Sequence, residues 1–396
     1  MQKGYFMNDS RKKIGLSDLW IISAAFFFIF MGTGAFQQYL IPVLSEKLGR
    51  SALACSWILA TLYLSFLFWR ILCGYTLKWL GDYWSLVLSS TTYTFFAVCA
   101  LFSNSYSFLI IAAIIWGWGA ASMWISASTQ ILDSSAKTKY GTSSGIFYTS
   151  SLLGQAIGVF LLGWLAGRYG NNGMLIRVIF ITLAGNCILL GVPNRHIQRE
   201  SSTVFKVFGV LKSHKSKILA FIQFTASFGF GIVMSSFGDL IKGLYGVALI
   251  GIITQGFYMT RLVSSSFSGW LSDRFGRYNI LIFGFLLSAL GVALAIFVRT
   301  PWMLFISAAT FGLQTGIVLV VVMAVIGDSA ASQRRHLVFG AIYMWRDLGV
   351  AISILSGMYL NAYTKNYSAG FGVFAILFLI CAVLVFNMRK YQDEEL

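Results

Sequence analysis

Four ionisable side chains interrupt stretches that are otherwise apolar for about 20 residues: Arg70, Arg261 and the neighbours Arg346 and Asp347. A charge inside a bilayer is costly unless it is paired, hydrated or met by a ligand, so such residues are candidate binding residues. Three bases and one acid leave two positive charges over, and an anion would supply the missing counter-charge. The internal alternative is that Asp347 neutralises Arg70 or Arg261 across the structure while the remaining guanidinium groups snorkel toward water. Gln255 and Tyr258 share the segment of Arg261, and Tyr343 shares that of Arg346. With Gln314, Gln155, Trp116 and Trp124 they are candidates to complete one site, the bland alternative being helix–helix hydrogen bonding.

Other chemistries find no residues. The three histidines (His196, His214, His336) fall between apolar stretches, and no Ser/His/Asp or metal-ligand spacing occurs. Five cysteines sit within apolar runs without CxxC spacing and read as small buried hydrophobes. A GxxxxGK[ST] phosphate loop is missing, so nothing points to ATP-driven work. The chain is expected to be neither an enzyme nor a cofactor or metal binder.

The segments that must position these charges are apolar and long. The 396 residues are 58% hydrophobic and 11% charged, with a mean hydropathy of +0.77, whereas a soluble protein carries about 25% charged residues. Stretches of membrane-crossing length lie near 20–41, 54–77, 84–103, 108–132, 142–165, 174–193, 218–240, 247–269, 279–298, 302–326, 337–361 and 369–388. The first is too long for a signal-peptide core and has no small-residue cleavage site after it, so it is expected to stay as span 1.

Twelve spans put both termini on one side. Of the 29 lysines and arginines, three lie within spans, nineteen on the side of the termini and seven on the other. That bias predicts cytoplasmic termini and a multi-pass protein of the cell membrane. The net charge of +16 is therefore a topology signal, and nucleic acid is not an expected partner.

The chain also echoes itself at an offset of 195. Gly74 and Gly81 recur as Gly269 and Gly276, Asp133 as Asp328, and Gly145, Tyr148 and Gly154 as Gly340, Tyr343 and Gly349. Internal repeats in a very apolar chain mark secondary transporters, whose two related bundles rock around a central site. The expected architecture is all-α: twelve transmembrane helices in two pseudo-symmetric six-helix bundles. Residues 1–193 would form the first bundle and 218–396 the second. The basic stretch 194–217 would be a cytoplasmic connector attracted to anionic lipid head groups. The four in-span charges break the symmetry: Arg70 corresponds to Ser265, Arg261 to Phe66 and Arg346 to Ser151. Scaffold charges would be expected twice; a site built for one substrate need not be.

Between spans 8 and 9 the chain reads Gly269-Trp-Leu271-Ser-Asp273-Arg274-Phe-Gly276-Arg277. This resembles the signature loop of the major facilitator superfamily, Gly-x-Leu-x-Asp-Arg-x-Gly-Arg, at every fixed position. The resemblance implies a conformational latch in which Asp273 meets a helix N-terminus across the seam and Arg277 pairs with Asp328. The first-half copy, Gly74-Tyr-Thr-Leu-Lys78-Trp-Leu-Gly81-Asp82, has its charges reversed. Its latch therefore cannot be carried over unchanged, and Lys78 is expected to pair with Asp133. Span 5 resembles the glycine ladder of the superfamily's antiporters, with Val159 at its proline position. In span 4, Ala113 stands where proton-coupled drug antiporters place an arginine. A cation in span 8 with one in span 11 resembles the oxalate/formate-exchange and monocarboxylate branches. Nitrate and organophosphate porters also use paired arginines.

The expected function is secondary transport of a small solute, an organic or inorganic anion, by a monomer working with protons or a counter-transported anion. Two rivals stand beside it. One is a transporter of neutral or drug-like compounds. The other is a non-transporting regulatory or trafficking partner, which the reversed first loop would suit. All three arginines paired internally would favour that last rival; open arginines would favour transport.

Overall fold

Backbone groups inside a bilayer must be satisfied within their own segment, and every regular element among the described residues is a helix. The computed structural model describes residues 16–134, 140–194, 208–297, 300–329 and 335–388. Nine segments among them are long and apolar enough to cross a membrane. One of these, Ile146–Leu189, has 44 residues and reverses at Gly170, where φ is 69°, so it supplies two crossings, spans 5 and 6.

Two more crossings are less uniformly apolar. Span 1 is Leu16–Ile29 and Leu40–Leu48, joined through a π-helical turn at Phe30–Gly34. Span 11 is Arg335–Thr364, which contains Arg346 and Asp347. The described residues thus supply twelve crossings. Spans 2 and 3 form one helical run, Ala52–Phe102, and span 4 is Tyr106–Ser134. Span 7 combines His214–Ile232, a π-helical turn at Val233–Phe237, and Gly238–Tyr245. Spans 8, 9, 10 and 12 are Val247–Phe275, Arg277–Phe297, Pro301–Ser329 and Tyr367–Met388.

The 195-residue echo has a conformational basis. Gly81 reverses the chain between spans 2 and 3 with φ 73°, and Gly276 does so between spans 8 and 9 with φ 88°. Both are backbone angles that a side chain would strain. Packing repeats as well. Gly154 of span 5 lies against the Phe27 carbonyl of span 1, and its counterpart Gly349 of span 11 lies against the Phe224 carbonyl of span 7. A methyl group at either position would run into that carbonyl.

The two halves are tied on the side away from the termini. Lys242 Nζ donates to the Pro42 carbonyl at 2.7 Å and to Ser45 Oγ at 3.0 Å, and Trp57 Nε1 donates to the Tyr359 hydroxyl at 3.2 Å. Spans 5 and 8 cross where Gly163 meets Gly251, and the Tyr39 hydroxyl fills that crossing while donating to the Val159 carbonyl at 2.5 Å.

Some details differ from the sequence reading. Span 1 is not one helix over 20–41, because its middle is broken and it continues to Leu48. Span 7 begins at His214, with the Ser213 hydroxyl accepting from the Ser216 amide at 3.1 Å. Residues 195–207 of the expected connector lie outside the described residues. Cys55, Cys99 and Cys381 are buried as expected, but Cys187 is exposed, because the outer surface of a membrane bundle is itself apolar.

Candidate functional site

Span 2 carries Arg70 to the middle of the molecule, and span 11 brings Asp347 to meet it from the other half. Arg70 Nε lies 2.9 Å from Asp347 Oδ2, an ion pair by distance although the N–H is not aimed along that line. The carboxylate side chain is 2% exposed and the arginine 19%. The guanidinium also sits 4.5 Å from the centre of the Phe66 ring, one helical turn back on span 2. The internal pairing considered for Asp347 is thus realised with Arg70, between halves.

Arg261 and Arg346 are arranged differently. Neither has a carboxylate within salt-bridge distance among the described residues. Both line one small cavity of about 20 Å³, together with Gln223, Ser227, Phe230 and Thr315. Arg261 is 8% exposed. Its guanidinium lies 5.4 Å and 5.8 Å from the ring centres of Phe230 and Phe257, and its Nε meets no acceptor. Gln223 Nε2, on the same cavity, is also buried without a partner. Buried donors left unpaired cost about 1–3 kcal/mol each, more when charged. Two guanidinium groups thus share one cavity, and Asp347, held by Arg70, lies within electrostatic reach of Arg346.

Four tyrosines surround this centre as two repeat-related pairs. Tyr63 and Tyr258 are 195 residues apart. The Tyr63 hydroxyl donates to Gln37 Oε1 at 2.7 Å, and that of Tyr258 to Gln38 Oε1 at 3.0 Å. Gln38 Nε2 in turn donates at 2.6 Å to the carbonyl of Val233, the first residue of the π-helical turn in span 7. Tyr148 and Tyr343 form the other pair and interact electrostatically with each other and with Arg70 and Arg346. Tyr148 is 39% exposed although charged groups of both halves lie around it. Trp124 stacks on it, with ring centres 5.8 Å apart and planes 23° apart.

The remaining predicted site residues are more dispersed. Gln314 is fully buried between Gly229 of span 7 and Gly284 of span 9, away from the small cavity, with both amide atoms unpartnered. Gln255 Oε1 is buried without a partner. Gln155 Nε2 donates to the Gly34 carbonyl at 3.3 Å and so holds span 5 to the π-helical turn of span 1. Trp116 is core, packed on Tyr93 and Phe96.

In the second signature loop Arg277 Nη1 donates to Ser272 Oγ at 2.8 Å, and Arg274 is exposed, its guanidinium 5.6 Å from the Phe275 ring centre. Gly74, Lys78, Asp133, Gly269, Asp273 and Asp328 lie outside the residues whose side-chain surroundings are described. Tyr63, Tyr148, Gln37, Gln38, Gln223 and Phe230 were not singled out as site residues. The 195-residue offset applied to Tyr258 and Tyr343 would have found both tyrosines.

A family model described as Major Facilitator Superfamily matches residues 22–207 and 219–395. Multidrug resistance protein MdtG of Citrobacter koseri is 26% identical over 306 residues, covering 75% of each chain. The Serratia proteamaculans protein of that name is 26% identical over 302 residues, 72% of this chain and 69% of its own. Among solved structures, the nucleoside transporter NupG superposes with a TM-score of 0.77 over 95% of this chain and 100% of its own; at 14% identity the likeness is one of fold.

Proposed function

This chain belongs to the Major Facilitator Superfamily, a family of multi-pass membrane transporters rather than enzymes, and we propose that the small molecule it moves is an anion. The observation that carries the proposal is the single cavity shared by Arg261 and Arg346, neither of which has a carboxylate partner among the described residues. Asp347 is one carboxylate among three guanidinium groups, engaged by Arg70 and within electrostatic reach of Arg346. A neutral sugar or an organic cation has no use for the excess positive charge, whereas an anion offsets it on binding. These open arginines also speak against a non-transporting role, for which internal pairing of all three would be expected.

Among the described residues Asp347 is engaged by Arg70 and lies within electrostatic reach of Arg346. That arrangement favours exchange against a second anion over proton carriage by this carboxylate. In the proposed cycle a monomer rocks its two bundles around the site, and the ties at Lys242, Trp57 and the Gly163–Gly251 crossing close the side away from the termini. That side faces out of the cell in this proposal, with both termini and the 194–217 connector in the cytoplasm. A cysteine placed at Ser202 would then react with an impermeant thiol reagent only after the cells are permeabilised.

The relatives bearing the name multidrug resistance protein favour a second reading, in which the solute is drug-like. One experiment separates the two. Purified protein in liposomes is screened by counterflow against carboxylates, nitrate, phosphate esters, sugars and cationic dyes. The anion proposal expects uptake of anions alone, with Arg261→Gln and Arg346→Gln each weakening it about ten- to a hundredfold, the worth of a charge-assisted contact. Uptake of only neutral or cationic compounds sinks it.

A further inference from the structure

The two halves bring unlike groups to this centre. The second half supplies charge and hydrogen-bonding groups: Arg261, Arg346, Gln223 and Thr315. The first half supplies rings. Trp124 is held edge-on by Phe26, Phe30 and Phe147 at ring-centre distances of 5.2, 5.2 and 5.5 Å, with interplanar angles of 78°, 68° and 72°. Its remaining face carries Tyr148. Three edge-to-face neighbours fix the orientation of the indole, so the stack is set before any ligand arrives. Tyr148 is the outer member: it is exposed, it belongs to the first half, and its electrostatic neighbours include Arg346 of the second.

An aromatic face by itself suits either a flat apolar ring or a cation. The arginines decide between them, since three guanidinium groups against the one carboxylate of Asp347 repel a cation from this centre. We infer that the solute is an aromatic anion whose acidic group engages Arg346 and Arg261 while its ring stacks on the Tyr148–Trp124 platform. This inference rests on the anion proposal and adds the other end of the molecule. It also gives each half a separate task, charge recognition in the second and ring recognition in the first.

The test uses benzoate and cyclohexanecarboxylate, which carry the same acidic group on a flat and a puckered ring, with benzamide as the neutral aromatic control. Binding is measured by calorimetry on the purified full-length protein in detergent. Benzoate should bind about three- to tenfold more tightly than cyclohexanecarboxylate, the worth of an aromatic stack beyond buried area. Tyr148→Phe should keep that preference and Tyr148→Leu should erase it without weakening cyclohexanecarboxylate; Tyr148 is exposed, so neither change opens a core cavity. Arg346→Gln should weaken both acids. Equal affinities for the two acids, with Tyr148→Leu silent and Arg346→Gln still damaging, overturn the ring inference and leave the anion proposal standing. Binding of benzamide as tight as that of benzoate, or no effect of Arg346→Gln, overturns the anion proposal and the inference with it.

Discussion

The ion pair between Arg70 and Asp347 can be weighed by a double-mutant cycle. Removing one partner of a buried pair costs about 3–5 kcal/mol, because the other charge is left uncompensated. Here the two removals are unequal. Asp347→Asn leaves three guanidinium groups at the centre with no acid between them, although Arg70 is 19% exposed and rests on the Phe66 ring, so water and the ring recover part of the loss. A cost of about 2–3 kcal/mol is expected. Arg70→Gln leaves Asp347 within electrostatic reach of Arg346, so that cost should be smaller, about 1–2 kcal/mol.

The double variant carries neither charge and should lie within about 1 kcal/mol of the native protein, giving a coupling near 3 kcal/mol, the upper end for groups in contact. Equilibrium unfolding in mixed micelles, followed by tryptophan fluorescence, reads all four corners. If the double variant loses the sum of the single losses to within about 0.5 kcal/mol, the two groups are uncoupled and the pair does not hold the halves together.

Other outcomes follow from the geometry. Gln38→Leu removes the bond to the Val233 carbonyl and strands the Tyr258 hydroxyl. It should bias the protein by about 1–3 kcal/mol away from closure on the side opposite the termini, read as faster labelling of a cysteine at Ser45 by an impermeant maleimide. Gly154→Ala and Gly349→Ala should each sharply lower the yield of folded protein, since each methyl meets a helix carbonyl; Gly372→Ala, which meets nothing within 4 Å, should not. Asp273→Asn should slow transport turnover while leaving solute binding intact, and equal losses in both assays would remove the latch assignment.

Much of the fold was legible in the sequence because a bilayer allows few solutions. A run of about 20 apolar residues must be a helix, and the paired glycines 81 and 276 announced where the chain reverses. The asymmetric charges were legible for a related reason: an arginine at depth is costly unless it is paired, hydrated or met by a ligand. Which of them Asp347 would meet was not legible, since that depends on how spans 2 and 11 lie side by side across the seam. The π-helical turns of spans 1 and 7 were hidden too. Each sits in a uniformly apolar or small-residue stretch, and tertiary contacts such as that between Gln155 and Gly34 accompany the break. Gln37 and Gln38, beside the first of these breaks, carried no signal in the sequence, yet in the structure they accept from Tyr63 and Tyr258.

The tie from Gln38 to span 7 ends on a peptide carbonyl, that of Val233. A side-chain acceptor can be deleted by one substitution; a main-chain acceptor persists through any change of the residue that carries it. Span 7 can therefore vary in sequence along this stretch without erasing its docking point, provided the helix keeps its wide turn. The vulnerability lies wholly on the glutamine side. Tolerance to substitution should be lopsided across this contact, with position 38 restricted and position 233 free among residues of similar bulk, a pattern that saturation mutagenesis of the two positions would display directly.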